Sequence, residues 1–146
     1  MRKRTILLSV VISIMLVGCG TSFEVNSLQL ENYANDNSCD YADVSSDYEE
    51  YDHVDGVYVA ETENVHVELW DLASDNDASE WFRNNAKTLE SKAKSNAGSY
   101  MSTGGDYSFV VQEDYYRLLF CKDKGIYAYG EKEAVKDALS KIGVAD

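Results

Sequence analysis

The stretch Val57–Trp70, VYVAETENVHVELW, decides the fold of this 146-residue chain. Apolar and polar residues alternate on both sides of a polar Glu-Thr-Glu-Asn turn, which predicts two antiparallel strands, Val57–Ala60 and Val65–Trp70. Alternate residues of the second strand share a face, with Val65, Val67 and Leu69 on one side and His66, Glu68 and Trp70 on the other. The stretch therefore predicts a sheet whose apolar face is covered by another layer.

A long amphipathic helix is predicted directly after this hairpin, within residues 74–95. Its apolar residues recur at intervals of three and four, at Ala78, Trp81, Phe82, Ala86, Leu89 and Ala93. Acids gather at the start of the helix and lysines toward its end, which complements the helix dipole. Asp77 and Glu80 have the spacing of a capping box.

A similar order of elements returns in the second half of the chain. Strands are predicted at Tyr107–Val111, Tyr115–Cys121 and Ile126–Tyr129. A closing helix is predicted at Glu131–Ile142, before the helix-ending Gly143. Because both hairpins lead straight into a helix, the pattern suggests a duplicated hairpin-plus-helix unit.

Upstream of the first hairpin, the apolar spacing predicts a helix over Ser27–Asn37, with Ser27 as its cap, and a short strand near Cys39–Val44. A long acidic loop then leads to Gly56. Together these elements predict an α+β fold, in which an antiparallel sheet of about five to six strands packs against two or three helices.

The N-terminal residues have the layout of a secretory signal, with a basic tip, Arg2–Arg4, followed by the apolar run Ile6–Val17. This run is shorter than the roughly 20 apolar residues of a transmembrane helix. The next residues complete the sequence Leu16-Val17-Gly18-Cys19, which resembles the lipobox of bacterial lipoproteins. The alternatives are an ordinary cleaved signal with an unrelated cysteine and a short uncleaved anchor.

The lipobox resemblance implies that Cys19 receives a diacylglycerol and becomes the first residue of the mature protein. It implies a lipoprotein signal peptide at 1–18, a lipidated short linker at 19–26 and a single globular domain at 27–146. It also implies a protein anchored in the cell membrane and facing the extracytoplasmic side, because multiple acyl chains give stable attachment.

The charge of the mature chain limits its partners. After residue 18 the chain has 10 basic and 26 acidic residues, and it has no lysine or arginine between Thr5 and Phe82. Nucleic acid is excluded as a partner because its phosphates need a basic footprint. Anionic lipid would repel the chain in the same way, so the acyl chains must provide the anchor.

Lipidation of Cys19 would leave two cysteines, Cys39 and Cys121, in a compartment where disulfides persist. A bridge between them would close a loop of about 80 residues and contribute on the order of 4 kcal/mol. The alternative is two separate thiols that behave as small apolar residues.

The overall order of elements also resembles that of small lipoproteins of Firmicutes whose function is unassigned. The resemblance rests on a leading helix, a strand pair ending in Glu-Leu-Trp-Asp, a helix with Trp81 and Phe82, a tyrosine-rich meander and a closing helix. It covers most of the mature chain. It implies the architecture and the compartment, and it carries over no catalytic residue.

Catalytic and cofactor motifs are missing from the sequence. The two histidines, His53 and His66, lack the spacing of a zinc site, and no nucleophile elbow or dinucleotide fingerprint occurs. We therefore predict no enzymatic activity and no cofactor. A weak calcium candidate consists of the carboxylates Asp47, Glu49, Glu50, Asp52 and Asp55, for which a solvated acidic loop is the favoured alternative.

The eleven tyrosines suggest a binding surface. If the closing helix covers the face of Ile126, the opposite face presents Tyr127 and Tyr129 to a partner. We expect Tyr115 and Arg117 to join them, which gives a candidate partner-binding set of Tyr115, Arg117, Tyr127 and Tyr129. The alternative is that these tyrosines fill the core or pair across strands.

Two functions of different class follow from the sequence. The first is a non-enzymatic binding or interaction module for an envelope protein, peptide or glycan. The alternative is an acidic inhibitor or protective surface protein that engages a basic partner.

Overall fold

A computed structural model describes residues 22–94, 99–102, 106–111 and 114–144 of the chain. The described helices are α1 (Ser27–Asp36), α2 (Asp75–Lys94) and α3 (Lys132–Lys141), with a short 3-10 helix at Ser45–Tyr48. The strands are β1 (Asp40–Asp43), β2 (Val54–Glu61), β3 (Val65–Leu72), β4 (Ser99–Ser102), β5 (Asp106–Val111), β6 (Asp114–Cys121) and β7 (Lys124–Gly130). These elements confirm the predicted α+β fold with an antiparallel sheet.

All seven strands belong to one sheet, in the order β1-β2-β3-β7-β6-β5-β4. Every neighbouring pair is antiparallel, and the hairpins β2–β3 and β6–β7 meet at the centre, where β3 pairs with β7. The strand β4 lies at one edge of the sheet, in a stretch to which the sequence analysis assigns no element. Its polar, serine-rich sequence has no alternation that would indicate a strand.

The two faces of the sheet have separate apolar clusters. On the face of Ile126, α1 and α3 cover residues that include Val67, Leu69 and Leu119. On the other face, α2 covers residues that include Leu118. Because α2 and α3 lie on opposite faces, the packing does not support a duplicated unit; two copies related about the β3–β7 pair would place both helices on the same face.

Helix α2 approaches the sheet closely because Gly125 lies beneath it. A Cβ atom at Gly125 would lie 2.5 Å from Cζ3 of Trp81. The missing side chain therefore lets the Trp81 ring rest on the backbone of β7. Trp81 also packs beside Trp70 of β3, with 5.7 Å between ring centroids.

The caps of α1 and α2 lie one and three residues before the predicted caps. Asn26 rather than Ser27 caps α1, since the backbone N–H of Gln29 donates to Asn26 Oδ1 at 3.0 Å and Asn26 N–H donates back to Gln29 Oε1 at 2.8 Å. At the start of α2, the Asp77 N–H donates to Ser74 Oγ at 3.2 Å, so Ser74 occupies the capping position. The cap at Asn26 is reciprocal, whereas the cap at Ser74 is a single hydrogen bond. Both satisfy backbone N–H groups that have no partner within the first turn of a helix.

The compact body begins before α1, earlier than the predicted boundary at residue 27. Phe23 and Val25 are only 4% and 3% exposed and belong to the cluster under α1 and α3. The predicted signal peptide, residues 1–18, and the lipidation site Cys19 lie outside the described residues. Within the described segments, no helix has the length and apolarity to cross a bilayer.

Candidate binding surface

A row of directly paired residues crosses four strands on the face of the sheet that carries α2. Glu61 of β2 pairs with His66 of β3, His66 pairs with Tyr129 of β7, and Tyr129 pairs with Tyr116 of β6. We call these four residues the His66 row. It lies at the end of the sheet nearest the β2–β3 turn, and each of its side chains keeps some exposure to solvent.

Two carboxylates hold the ring of His66. Nδ1 lies 2.8 Å from Glu61 Oε2 and Nε2 lies 2.9 Å from Glu68 Oε1, so both ring nitrogens face a carboxylate oxygen. The second oxygen of Glu68 accepts a hydrogen bond from Trp70 Nε1 at 2.8 Å. Only the protonated imidazole can donate to both carboxylates at once. The arrangement therefore favours His66 as an imidazolium.

The rings of the His66 row are stacked. The ring centroids of His66 and Tyr129 lie 4.8 Å apart at an interplanar angle of 28°, and those of Tyr129 and Tyr116 lie 5.3 Å apart at 19°. Burial raises the pKa of Tyr116 and Tyr129 above the usual value for tyrosine, so both keep neutral hydroxyls. The row is thus an ordered aromatic surface bordered by carboxylates.

The structure separates the four predicted partner-binding residues. Tyr127 and Tyr129 lie opposite Ile126 and Ala128, as predicted, and α3 covers the Ile126 face. The other face is not fully open to a partner as expected, because α2 packs on it and the partly buried Tyr127 contacts the apolar cluster under α2. Tyr115 and Arg117 do not join them, because Tyr115 pairs with Gly130 and Arg117 with Ala128 on the α3 face. The expectation of one surface formed by all four residues is wrong.

On that buried face, Arg117 forms an ion pair with Asp106. Its Nε and Nη2 donate to the two carboxylate oxygens of Asp106, each at 2.7 Å. Hydrogen bonding to Asp106 raises the pKa of the Arg117 guanidinium, although burial opposes the shift. The bidentate geometry is the strongest form of this ion pair.

The five carboxylates of the weak calcium candidate are not gathered into a ligand cluster in the described structure. The five candidate carboxylates are all exposed, and they belong to Asp47, Glu49, Glu50, Asp52 and Asp55. Among the residues that the structure describes, no group of three or more His, Cys, Asp or Glu side chains is arranged to hold a metal ion. Calcium needs six to eight converging oxygens. The structure gives the calcium candidate no support, and the solvated loop stays the favoured alternative.

The predicted pair of cysteines is not bridged in the structure. Cys121 is buried, Cys39 is partly buried, and both are free thiols. They belong to or pack against the same apolar cluster under α1 and α3. In this structure they have the packing role that was the alternative to a disulfide.

Three cavities lie at the surface of the described domain, with volumes of about 460, 430 and 300 Å³. The first lies between α1 and the end of α3, the second beside the β6–β7 turn, and the third along the start of α2 near His53. None of these three is lined by His66 or Glu68. The His66 row is therefore a surface rather than the wall of one of these cavities.

Comparison of the chain with protein-family models, with curated proteins and with solved structures found no significant match.

The stability of the protein is expected to depend on pH through His66. The hydrogen bond to Glu68 raises the pKa of His66, burial opposes the shift, and the hydrogen bond to Glu61 adds to it. The pKa of His66 in the folded protein lies above its unfolded value of about 6.5. The stabilisation that protonated His66 gives the folded state is therefore complete below about pH 6.5 and is lost as the pH rises through the folded pKa.

Just below about pH 6.5, the free energy of unfolding of the wild-type protein should be about 1 kcal/mol higher than that of His66→Gln. The difference should shrink as the pH rises through the folded pKa of His66. Urea unfolding of both proteins at a series of pH values on either side of about 6.5 measures the difference. A difference that grows with rising pH would contradict the protonated arrangement.

Proposed function

We propose that this chain is a lipid-anchored extracytoplasmic domain that acts by binding a basic segment of another protein or peptide. The anchor is supported by the sequence Leu16-Val17-Gly18-Cys19 after a short apolar run. The binding role is supported by the His66 row, and this surface is the observation that carries the proposal.

The chemistry of the His66 row suits a cationic, partly apolar ligand. Tyrosine rings give a large contact area with little loss of conformational freedom, because each ring has few rotatable bonds. Because Tyr129 is stacked between His66 and Tyr116, the attraction for lysine and arginine side chains comes from the neighbouring carboxylates rather than from the faces of its ring. Glu61 remains 54% exposed beside His66, so one carboxylate is accessible to a partner.

Binding rather than catalysis also fits the state of His66. A general base needs a free nitrogen lone pair within reach of the proton it removes. Here both ring nitrogens face carboxylate oxygens at 2.8 and 2.9 Å. His66 is thus held as a structural cation that fixes the positions of Glu61 and Glu68.

The proposal can be tested with a lysine-rich peptide titrated onto the full-length protein in detergent. Glu61→Gln removes one charge from the His66 row, and Glu31→Gln removes one charge from an exposed position on α1. Both variants have the same net charge. We expect Glu61→Gln to weaken binding by about fivefold, which corresponds to about 1 kcal/mol, and Glu31→Gln to leave it nearly unchanged.

An equal loss in both variants would contradict binding at the His66 row. It would instead favour the second function, an acidic inhibitor that engages a basic partner through its overall charge. The exposed carboxylates of the acidic loop provide the specific observation for that alternative. Asp47→Asn, in that loop, would then weaken binding as much as Glu61→Gln.

A further inference from the structure

The segment before α1 is fixed to one end of the sheet. The side chains of Phe23 and Val25 are buried in the cluster that includes Cys121, while Glu24 between them points to solvent. Glu24 lies 3.6 Å from Nζ of Lys122, in the β6–β7 turn. The reciprocal cap at Asn26 then fixes the start of α1. The chain therefore joins the domain beside the β6–β7 turn.

This attachment restricts the distance between the domain and a lipid on Cys19. Three residues lie between Cys19 and the buried Phe23, and the four Cα–Cα steps from Cys19 to Phe23 span about 14 Å at most when fully extended. The strand β7 runs about 20 Å from the β6–β7 turn to Gly130 at the other end of the sheet. The β6–β7 turn is thus held near the bilayer, whereas the opposite end can lie farther away.

Both ends of the sheet carry exposed acids, so charge does not choose between them. Asp52 and Asp55 lie at the β6–β7 end, because Val54 pairs with Leu72 and the Ala73 N–H donates to the carbonyl oxygen of His53. At the β6–β7 turn, Lys124 lies 3.2 Å from Asp71 and 3.3 Å from Asp123, and the side chain of Lys122 is 68% exposed. At the opposite end of the sheet, exposed acids surround the β2–β3 turn and the starts of β6 and α3: Glu61, Glu63, Asp114 and Glu131. Anionic headgroups repel the acids at both ends, so the short tether, rather than charge, holds the β6–β7 turn nearer the bilayer.

We propose that the β6–β7 turn faces the membrane and that the His66 row lies at the membrane-distal end of the domain. This inference rests on the proposed lipid anchor. It gives the binding surface a direction, since a partner would approach the His66 row from the extracytoplasmic space. The exposed acids Asp52 and Asp55 lie at the same end of the sheet as the β6–β7 turn, with β2 two strands away from β7, so we expect anionic headgroups to tilt the β2 edge away from the bilayer.

Fluorescence quenching measures this orientation. The full-length lipidated protein is reconstituted into vesicles of phosphatidylcholine and phosphatidylglycerol with nitroxide on the headgroups. A fluorescent amino acid replaces Lys122 in one sample and Glu63, an exposed residue of the β2–β3 turn, in the other. We expect several-fold stronger quenching at position 122. Equal quenching, or stronger quenching at position 63, would overturn the inference.

A flexible Gly-Ser spacer inserted after Thr21 provides the matched control. If the short tether sets the orientation, the spacer should bring the two quenching efficiencies closer together, and an unchanged ratio would overturn that cause. A mass spectrum of the same protein separates the two proposals. An unmodified Cys19 refutes the anchor and the orientation with it, whereas a lipidated Cys19 with equal quenching refutes the orientation alone.

Discussion

Gly130→Ala is expected to lower the free energy of unfolding by about 3 kcal/mol. Gly130 has a φ of +137°, and a Cβ atom there would lie 2.2 Å from the carbonyl oxygen of Asn64. The same carbonyl accepts a hydrogen bond from the backbone N–H of Glu131 at 2.8 Å, so it cannot move without losing that bond. The estimate combines about 1–2 kcal/mol for the backbone conformation with a similar amount for overpacking.

Gly143→Ala provides the control for this prediction. Gly143 also has a positive φ, +96°, but no atom lies within 4 Å of the position that a Cβ would take. We expect a loss of about 1 kcal/mol, from the backbone conformation alone. Urea unfolding of the two variants and the wild type gives both values. A similar loss in both variants would show that the contact between Gly130 and Asn64 is not as close in solution.

Asp106→Ala is expected to cost about 3 kcal/mol of stability, because it removes the carboxylate that faces the buried Arg117. The cost of burying the guanidinium remains, while its two 2.7 Å hydrogen bonds to Asp106 are lost. Asp114→Ala, at an exposed position on β6, should change stability by less than about 0.5 kcal/mol. Thermal and urea unfolding measure both effects.

A double variant separates this electrostatic cause from a loss of packing. Asp106→Ala combined with Arg117→Met removes the charge together with its partner and should recover most of the stability lost in the single variant. Failure of the second substitution to recover stability would mean that the Asp106 side chain acts through packing. This result would contradict the role assigned to the ion pair.

The sequence predicts the local elements well because each has a strong periodic pattern. The hairpin Val57–Trp70, the helix with Trp81 and Phe82 and the closing helix all appear in the structure. The edge strand β4 and the packing of Phe23 were not predicted. Both depend on contacts with distant parts of the chain, which periodicity does not record.

The error in placing Tyr115 and Arg117 has a geometric cause that the sequence does contain. The β6–β7 turn pairs Cys121 with Lys124, so every odd-numbered residue of β6 lies beside an even-numbered residue of β7. Tyr116 therefore shares a face with Tyr129, and Arg117 shares a face with Ala128. A turn of two or four residues gives the same result, so correct counting across the turn would have excluded the predicted set.

The contact between His66 and Glu61 could also have been found from the first hairpin. Only four residues lie between them in the sequence, and the structure pairs Glu61 with His66 across the hairpin. The stacking of Tyr129 on His66 could not have been found in this way. It depends on the register of β3 against β7, two strands separated by more than 50 residues.

The most direct test of the central claim is photocrosslinking in the native membrane. A photoreactive amino acid is placed at position 63, next to the His66 row, or at position 31 on α1, which is exposed on the other side of the sheet. We predict a discrete protein adduct from position 63 whose yield falls severalfold when Glu61→Gln is added, and no such adduct from position 31. Adducts of equal yield from both positions, or a yield from position 63 that Glu61→Gln leaves unchanged, would contradict binding at the His66 row.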